Sequence, residues 1–435
     1  MSLTDTLLEL AQRPAPPPDT PAQQLARLSL LDWITCGVAG QAEPVAQHLR
    51  QFAQAEASQA QAQMFGHGAA PARMAALVNG ATSHALDYDD THFAHVGHLS
   101  VGIYPAALAV AQHMDAPARD MITAFLMGAE GAIRIGLVLG KDHYQMGFHQ
   151  TATAGAFGAT LAAGRLYGLT DPQMRAALGL CATRASGLKS QFGTMGKPYN
   201  AGVAASNGVE CAQLAQLGLS APEDGILGPQ GFVDTHAPGG PVSLNIPAGQ
   251  YLFEDNKYKL HACCHGTHAM IEALLVAQKA QAFSLPDIRA IALRTNPRWL
   301  RVCDNKAPRT GLEVKFSYGW LAGMTLRGDA TDHDRTYVDA LATDHALLHF
   351  AERVQVTGDD TLSDMQAAGE LHLVNGTTLP FAHDLKVRIT PSDLRSRLHT
   401  KAETMLGFKG TEIWALHDVL DQMQARDFAQ HMIAP

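Results

Sequence analysis

The first half of the chain repeats apolar residues at the spacing of an α-helix. In residues 21–37, Leu25, Leu28 and Leu31 recur every three residues, as on one face of an amphipathic helix. Similar spacing predicts further helices over residues 71–86, 101–114, 120–139, 149–167 and 171–188. Many of these segments are rich in Ala and Gly and contain no lysine, which indicates buried helices that approach one another closely.

Signals for β-strands appear only after residue 257. Residues 288–295 and 385–390 are each predicted as a strand, the second by alternating apolar and polar side chains, and Asn375-Gly376 within residues 371–379 is a strong hairpin signal. These segments predict two strands and one hairpin.

Helical patterns accompany the strands in this part of the chain. Apolar spacing predicts helices over residues 264–283 and 312–326. The sequence Thr390-Pro391-Ser392-Asp393 predicts a helix N-terminus, with Thr390 as the N-cap and Pro391 at the first position. Two helices are then expected up to the C-terminus.

Together, these patterns predict a mainly α fold built from two domains. A large all-helical domain is expected to comprise residues 1–256 and 391–435. A smaller α+β lid domain, residues 257–390, is expected to be inserted into it. The chain of 435 residues, 46% of them hydrophobic, is long enough to bury cores of this size.

Composition limits the kinds of binding partner and the cellular compartment that the sequence predicts. The net charge of −9 is spread along the chain without a basic block, so the sequence predicts no nucleic-acid partner. No apolar run approaches the roughly 20 residues that a membrane-spanning helix needs, and residues 1–13 lack the order of a signal peptide. With no disulfide framework among the six cysteines, we expect a cytoplasmic protein without a membrane partner.

The densest chemistry of the sequence lies in residues 79–98. This segment contains three carboxylates and four imidazoles in an Ala-rich chain: Asp87, Asp89, Asp90, His84, His92, His95 and His98. Such groups move protons near neutral pH or hold a divalent metal ion. A polar loop after a helix is the simpler alternative.

Two further segments place a polar side chain at the start of a predicted helix. His149 follows Gly147-Phe148 and precedes an apolar helix. Lys197 lies between Gly196 and Pro198, where its ammonium and the nearby backbone N–H groups could bind a carboxylate. A capped histidine and a solvated lysine are the alternatives.

A third segment, residues 257–268, lies where the helical region gives way to the α+β region. It contains Lys259, Cys264 and His265. A zinc site is the competing interpretation, but Cys264 and His265 are neighbours and no C-x-x-C pair accompanies them. The sequence therefore predicts no metal site.

Sequence motifs for cofactors and covalent nucleophiles are absent. The chain has no nucleophile elbow, no Walker A motif, no dinucleotide fingerprint after a strand and no recognisable lysine context for pyridoxal phosphate. We therefore expect no cofactor, and acid–base chemistry by His and Asp, with Lys holding carboxylates.

In order and spacing, these segments resemble the MmgE/PrpD family. The matching phrases are residues 79–91, 147–149, 193–198, 228–232 and 263–268. The family includes 2-methylcitrate dehydratase, cis-aconitate decarboxylase and iminodisuccinate epimerase. The resemblance implies a small di- or tricarboxylate substrate, no metal or organic cofactor, a helical domain with a lid domain, and a homodimer.

The resemblance also implies which residues line the pocket: Asp87, Thr91, His98, His149, Lys197 and Lys259. Leu99 follows His98 where the family has proline, and His95 is the alternative imidazole at this position. Cys264 stands where the decarboxylase branch has histidine, with His265 one place later, which disfavours decarboxylation. Residues 88–92 also differ from the Trp-Asn-Asp-Thr-Trp of the dehydratase.

These assignments predict the following roles. Either His98 or His149 is the general base and the other is the general acid, with Asp87 orienting an imidazole. Lys197 and Lys259 neutralise substrate carboxylates and the developing negative charge. The remaining candidates are expected to bind substrate: Thr91, His95, Cys264 and His265.

The predicted reaction begins with removal of a proton next to a carboxylate. A lyase of the 2-methylcitrate dehydratase type is the main prediction, and an epimerase using the same carbanion is the close alternative. A cis-aconitate-type decarboxylase ranks below both. A metal-dependent hydrolase and a non-catalytic carboxylate-binding protein are the alternatives from other classes.

Overall fold

The computed structural model describes residues 2–56, 58–241, 243–247 and 249–433. The fold is mainly α, as the sequence predicts. The chain folds into two compact units. The first unit comprises the residues up to Tyr258 together with those from Leu406 onward, and the second comprises Lys259–Met405.

Within the described residues, the first unit is helical apart from the two-residue strands β1 (Ala62–Gln63) and β2 (Ala69–Ala70). Its helices are α1 (Leu3–Gln12), α2 (Pro21–Gly40), α3 (Pro44–Ala55), α4 (Ala72–Ser83), α5 (Ser100–His113), α6 (Ala118–Met146), α7 (Gln150–Leu166), α8 (Asp171–Arg184), α9 (Gly196–Gln216) and α10 (Phe232–His236), with α17 (Phe408–Ala415) and α18 (Ala425–Ala429) from the C-terminal segment. The six helices that apolar spacing predicts are therefore confirmed as α2 and α4–α8.

Helix α7 is at the centre of the first unit and packs against both α6 and α9, while α9 also packs against α4. Glycines allow the close approach. A Cβ added to Gly202 of α9 would lie 2.3 Å from the carbonyl oxygen of Leu77 in α4, and one added to Gly158 of α7 would lie 2.7 Å from the carbonyl oxygen of Gly128 in α6. No side chain fits at either position, so small residues fix the spacing of these helices.

Helix α6 corrects one expectation from the sequence. By length and composition it could cross a membrane, although no such run was expected. However, 94% of its apolar window is buried by the rest of the protein. Its hydrophobicity therefore serves the core of the helical unit, because α1, α2, α5 and α7 pack against it.

The second unit combines helices with a four-stranded sheet. Its elements are α11 (His268–Ala280), β3 (Ile288–Thr295), α12 (Leu300–Cys303), α13 (Gly311–Val314), α14 (Tyr318–Arg327), α15 (His345–Ala351), β4 (Val354–Gly358), β5 (Gln366–Leu373), β6 (Thr378–Asp384) and α16 (Pro391–Leu406). The strand order is β4-β3-β5-β6, with β3 parallel to β4 and the other pairs antiparallel. Helix α11 packs on β5 and β6.

Three local predictions in the second unit are confirmed. Residues 288–295 form strand β3, and β5 and β6 form the predicted hairpin. Gly376 adopts a φ of 87° in its turn, and the Thr377 N–H donates to Oδ1 of Asn375. Thr390 caps α16, because its hydroxyl oxygen accepts a hydrogen bond from the Asp393 N–H.

The strand predicted over residues 385–390 is wrong. Strand β6 ends at Asp384, whose carbonyl and carboxylate oxygens accept hydrogen bonds from the N–H groups of Val387 and Lys386. These bonds turn the chain away from the sheet. Val387 is 67% exposed and Ile389 is 39% exposed, so the alternating apolar residues do not form a buried face here. The helix predicted over residues 312–326 is also divided, into α13 and α14.

The glycine at position 202 provides a test of the helix packing. We expect Gly202→Ala to lower the free energy of unfolding by about 1–3 kcal/mol, because the new methyl group would overlap the Leu77 carbonyl oxygen. Gly155→Ala in α7 is the matched control, since its Cβ would meet only Ala204 Cβ at 4.0 Å. The control is expected to be neutral or stabilising by up to about 1 kcal/mol. Equal thermal stability of the two variants would contradict this packing.

Candidate active site

The polar loop between α4 and α5 is fixed in place by buried hydrogen bonds. The Asp90 carboxylate accepts hydrogen bonds from the N–H and hydroxyl of Ser100 and from the side-chain amide of Asn256. At the other side of the loop, the His98 N–H donates to Oγ1 of Thr151 in α7. A Cβ at Gly97 would lie 2.8 Å from the Thr151 nitrogen, so only glycine allows this approach.

A buried carboxylate joins two imidazoles in this loop. Oδ1 of Asp89 lies 2.8 Å from Nδ1 of His84, and Oδ2 lies 2.7 Å from Nδ1 of His98. Asp89 and its His84 partner are fully buried, and the two imidazole rings lie 4.6 Å apart in an edge-to-face arrangement. The group is therefore a continuous His84–Asp89–His98 triad.

A second carboxylate links this triad to a lysine. Oδ2 of Asp87 lies 2.7 Å from Nζ of Lys197, in the first turn of α9, and Oδ1 lies 3.6 Å from Nε2 of His98. Asp87 adopts a φ of 52°, a left-handed conformation that Asp tolerates better than most residues. This turn brings the carboxylate between the imidazole and the ammonium.

His149 completes the group from the N-terminus of α7. Its side chain is buried, and its Nδ1 lies 3.2 Å from the side-chain nitrogen of Asn200 in α9. The ring lies 6.2 Å from that of His84 and contacts Phe192 edge-to-face at 4.9 Å. Three imidazoles, two carboxylates and one ammonium thus converge where α4 ends and α7 and α9 begin: His84, His98, His149, Asp87, Asp89 and Lys197.

Burial and neighbouring charge separate the pKa values of these groups. Burial raises the pKa of Asp89, but the two imidazoles outweigh this effect and hold it well below its usual range. Burial raises the pKa of the adjacent Asp90, and the charge of Asp89 adds to the rise. Burial also lowers the pKa of His149 well below its usual value, with the charges of His84, Lys197 and His98 contributing. Such separation is typical of acid–base sites.

Four of these side chains could also hold a metal ion. One ligand atom from each of His84, Asp87, Asp89 and His98 can be chosen so that all lie within 4.8 Å of one another. However, the Lys197 ammonium already contacts Asp87, and both Asp89 oxygens lie within 3 Å of imidazole nitrogens. A divalent cation would therefore have to displace an ammonium and two close imidazole contacts, so the donor set fits a metal poorly.

Two predicted substrate-binding residues of the first unit lie outside this group of side chains. His95 is fully buried, and its Nδ1 lies 3.1 Å from the carbonyl oxygen of Ala132. Burial lowers the pKa of His95 to about 3. Thr91 is half-buried, and its backbone exchanges two hydrogen bonds with Lys257.

The remaining three predicted residues belong to the second unit. Lys259 is buried there, and its charge acts on Cys263, His268 and Cys303. Cys264 is half-buried, with its Sγ 3.3 Å from Sγ of Cys303. The His265 ring lies 4.5 Å from the ring of His268. Lys259, Cys264 and His265 therefore lie in a region of the second unit that is rich in thiols and imidazoles.

Three residues of the site do not stand out from the sequence alone. His84 and Asp89 lie within the polar run, where the sequence assigns them no role of their own, and Asn200 lies outside the motifs. The signal for Asn200 was its position three residues after Lys197, which places both side chains on one face of a helix. No local pattern reveals that Asp89, rather than Asp87, makes the closer contact with His98.

Comparison with protein families covers most of the chain. A family model described as the MmgE/PrpD N-terminal domain matches residues 10–245, and one described as the MmgE/PrpD C-terminal domain matches residues 261–380. The two family models match in the same order along the chain as the motifs that resemble this family.

Curated relatives with similar sequences carry decarboxylase names. The chain is 29% identical over 309 residues to cis-aconitate decarboxylase-like protein oryM of Aspergillus oryzae, which covers 66% of this chain and 63% of the relative. It is 31% identical over 276 residues to cis-aconitate decarboxylase of Aspergillus terreus, which covers 59% of this chain and 56% of the relative. It is 27% identical over 325 residues to cis-aconitate decarboxylase of Homo sapiens, which covers 71% of this chain and 67% of the relative. The chain thus spans about three fifths of the length of these fungal relatives.

The competition between Lys197 and a metal ion can be tested on the purified protein. We expect neither EDTA nor millimolar Mg²⁺ or Mn²⁺ to change the melting temperature of the wild type, because a ligand stabilises a fold only when it binds the native state. Lys197→Met, which removes the competing ammonium, is the variant in which a rise with Mg²⁺ or Mn²⁺ is expected. A wild type that melts lower in EDTA and recovers with added metal would contradict the assignment.

Proposed function

The chain belongs to the MmgE/PrpD family, and on that premise we propose that it is a cofactor-free lyase acting on a small di- or tricarboxylate. The reaction is proposed to exchange a proton at a carbon next to a carboxylate. The observation that carries this proposal is the contact of His98 with buried Asp89, beside an ammonium and a second imidazole. A protein that only binds carboxylates would need Lys197 but not this pairing.

His98 is the proposed general base. Oδ2 of an ionised Asp89 lies 2.7 Å from Nδ1 of His98 and favours a proton on that nitrogen, which leaves the lone pair of Nε2 available for a substrate proton. The carboxylate also stabilises the imidazolium that forms, as in other carboxylate–histidine pairs. This geometry supports His98 rather than His95, whose Nδ1 lies against a backbone carbonyl.

Lys197 is proposed to bind a substrate carboxylate. Its ammonium has three N–H donors, so one hydrogen bond to Asp87 leaves two for the substrate. Removal of the α-proton places negative charge on this carboxylate, and a fixed ammonium stabilises that charge as it develops. Asp87 in turn holds the ammonium in position.

Dehydration is the reaction proposed for this arrangement. His98 removes the proton, the electron pair of the C–H bond forms the C=C bond, and the β-hydroxyl leaves as water with a proton supplied by the site. Return of a proton to the opposite face of the same carbanion would instead give epimerisation. Neither outcome needs a cofactor.

Decarboxylation is the second candidate, and the names of the curated relatives favour it. In that reaction the C–C bond to a carboxylate breaks, CO₂ leaves and the resulting carbanion takes a proton from the site. Cys264 stands where the decarboxylase branch of the family has histidine, and this difference disfavours decarboxylation. Lys259, Cys264 and His265 of the second unit, proposed as a lid, remain candidates for binding substrate.

The cellular setting is proposed from the cysteines and the family resemblance. All six cysteines are free, which suits a reducing compartment, and we propose a cytoplasmic homodimer as the family resemblance implies.

A panel of carboxylates in heavy water tests the function. With 2-methylcitrate, citrate, cis-aconitate, iminodisuccinate and matched monocarboxylates, we expect NMR to show deuterium at the carbon next to a carboxylate for at least one polycarboxylate. Loss of water, loss of CO₂ or inversion then identifies the reaction. If no polycarboxylate shows deuterium exchange or turnover, the proposal is wrong.

The same panel tests the role of Lys197. We expect Lys197→Met to raise KM for the polycarboxylate substrate by about tenfold or more, since a charge-assisted hydrogen bond contributes roughly 1.5–3 kcal/mol. Lys189→Met is the matched control, because that ammonium donates to the Tyr144 carbonyl outside the group. An unchanged KM in Lys197→Met would remove the lysine from substrate binding.

A further inference from the structure

Two imidazoles of the site, those of His98 and His149, contact partners of opposite polarity through their Nδ1 atoms. Nδ1 of His98 lies 2.7 Å from a carboxylate oxygen of Asp89, which can only accept a hydrogen bond while ionised. Nδ1 of His149 lies 3.2 Å from the side-chain nitrogen of Asn200, which can only donate. A neutral imidazole carries its proton on one nitrogen, so these partners select different tautomers.

The orientation of the Asn200 amide is fixed by a second contact. Its nitrogen also donates to the carbonyl oxygen of Leu188 at 3.2 Å. Rotating the amide by 180° would place its oxygen against this carbonyl oxygen and would break the hydrogen bond. Asn200 is buried, so water does not readily replace the lost bond. The nitrogen therefore faces His149.

We propose that Asn200 is a positioning residue that holds His149 as the neutral tautomer with its proton on Nε2. In this form His149 donates a hydrogen bond through Nε2 and has no lone pair there to accept a proton. His98, with its proton on Nδ1, has the opposite form. Building on the proposed function, this assigns proton removal to His98 and stabilisation of the developing negative charge to His149.

The charges around His149 support a neutral ring. His84, Lys197 and His98 oppose protonation, whereas Asp87 favours it, and burial adds the largest effect in the direction of the neutral form. A protonated ring would also direct its Nδ1–H at the N–H group of Asn200. Both effects act in the same direction, so the neutral donor persists across the neutral pH range.

The wild-type protein tests the tautomer without any substrate. In the full-length protein labelled with ¹⁵N-histidine, we expect two-bond ¹H–¹⁵N spectra to show His149 with a protonated Nε2 and an unprotonated Nδ1 between pH 6 and 8. A His149→Gln variant identifies the signals. A proton on Nδ1, or a charged His149 ring in this range, overturns the proposal.

Asn200→Asp tests the consequence for catalysis. A carboxylate at this position accepts a hydrogen bond, so it reverses the tautomer and raises the pKa of His149. We expect kcat to fall by about tenfold or more at pH 8, where the reversed ring is neutral and lacks its Nε2–H. As the pH falls through the raised pKa, protonation restores the donor, so the ratio of variant to wild-type kcat is expected to rise.

A matched control lies two turns further along α9. Asn207 is also buried, and its amide nitrogen donates to the carbonyl oxygen of Arg184. Asn207→Asp is expected to change neither the His149 spectrum nor the dependence of this ratio on pH. A pH-independent ratio for Asn200→Asp would overturn the proposed role, since a purely structural defect lowers kcat equally at every pH.

The spectra and the substrate panel separate this inference from the proposed function. The expected tautomer in a protein that turns over no polycarboxylate supports the role of Asn200 and contradicts the function. Turnover of a polycarboxylate by a protein whose His149 carries its proton on Nδ1 contradicts the role of Asn200 and supports the proposed function. The wild-type spectrum decides the tautomer even where Asn200→Asp fails to fold.

Discussion

The site depends on one ionised carboxylate, Asp89, buried between the imidazoles of His84 and His98. Removing a carboxylate from water is costly unless hydrogen bonds replace the lost hydration. His84 supplies one such bond, His98 lies 2.7 Å from the other oxygen, and the two imidazoles keep the pKa of Asp89 low despite complete burial. The adjacent Asp90 is satisfied by neutral donors, and its pKa is raised. The two neighbouring carboxylates therefore have different roles. Asp89 is the charged group of the site, and Asp90 holds the loop in place.

Close helix packing brings the other groups to this carboxylate. His84 follows the last residue of α4, His149 precedes α7, and Lys197 and Asn200 lie in the first two turns of α9. These ends meet because glycines such as Gly202 let the helices approach to distances that a Cβ would prevent. The Ala- and Gly-rich composition of the first unit therefore has a direct functional consequence: it brings side chains from distant parts of the chain within hydrogen-bonding distance.

The sequence predicts most of this framework because its periodic signals are strong. Helices α2 and α4–α8, strand β3, the β5–β6 hairpin and the cap at Thr390 follow from apolar spacing and turn chemistry. Residues 385–390 show the limit of such patterns, since alternation alone does not tell a buried strand from an exposed turn.

Only part of the site can be predicted from the sequence. Local patterns locate the polar run, His149 and Lys197, but the partner of each imidazole is a tertiary contact. Asp87 and Asp89 have the same chemistry two residues apart, and only the left-handed turn at Asp87 determines which one contacts Nδ1 of His98. Asn200 depends on how α9 lies against α7, which no pattern within either helix encodes.

The most direct test of this account is the rate of deuterium incorporation by Asp89→Asn with the polycarboxylate that the wild type accepts. An amide can donate to Nδ1 of His98 and so favours the tautomer without a basic Nε2. We expect the rate to fall by about a hundredfold or more in a variant that still unfolds cooperatively. A folded Asp89→Asn protein that exchanges at the wild-type rate would contradict the central role of the buried carboxylate.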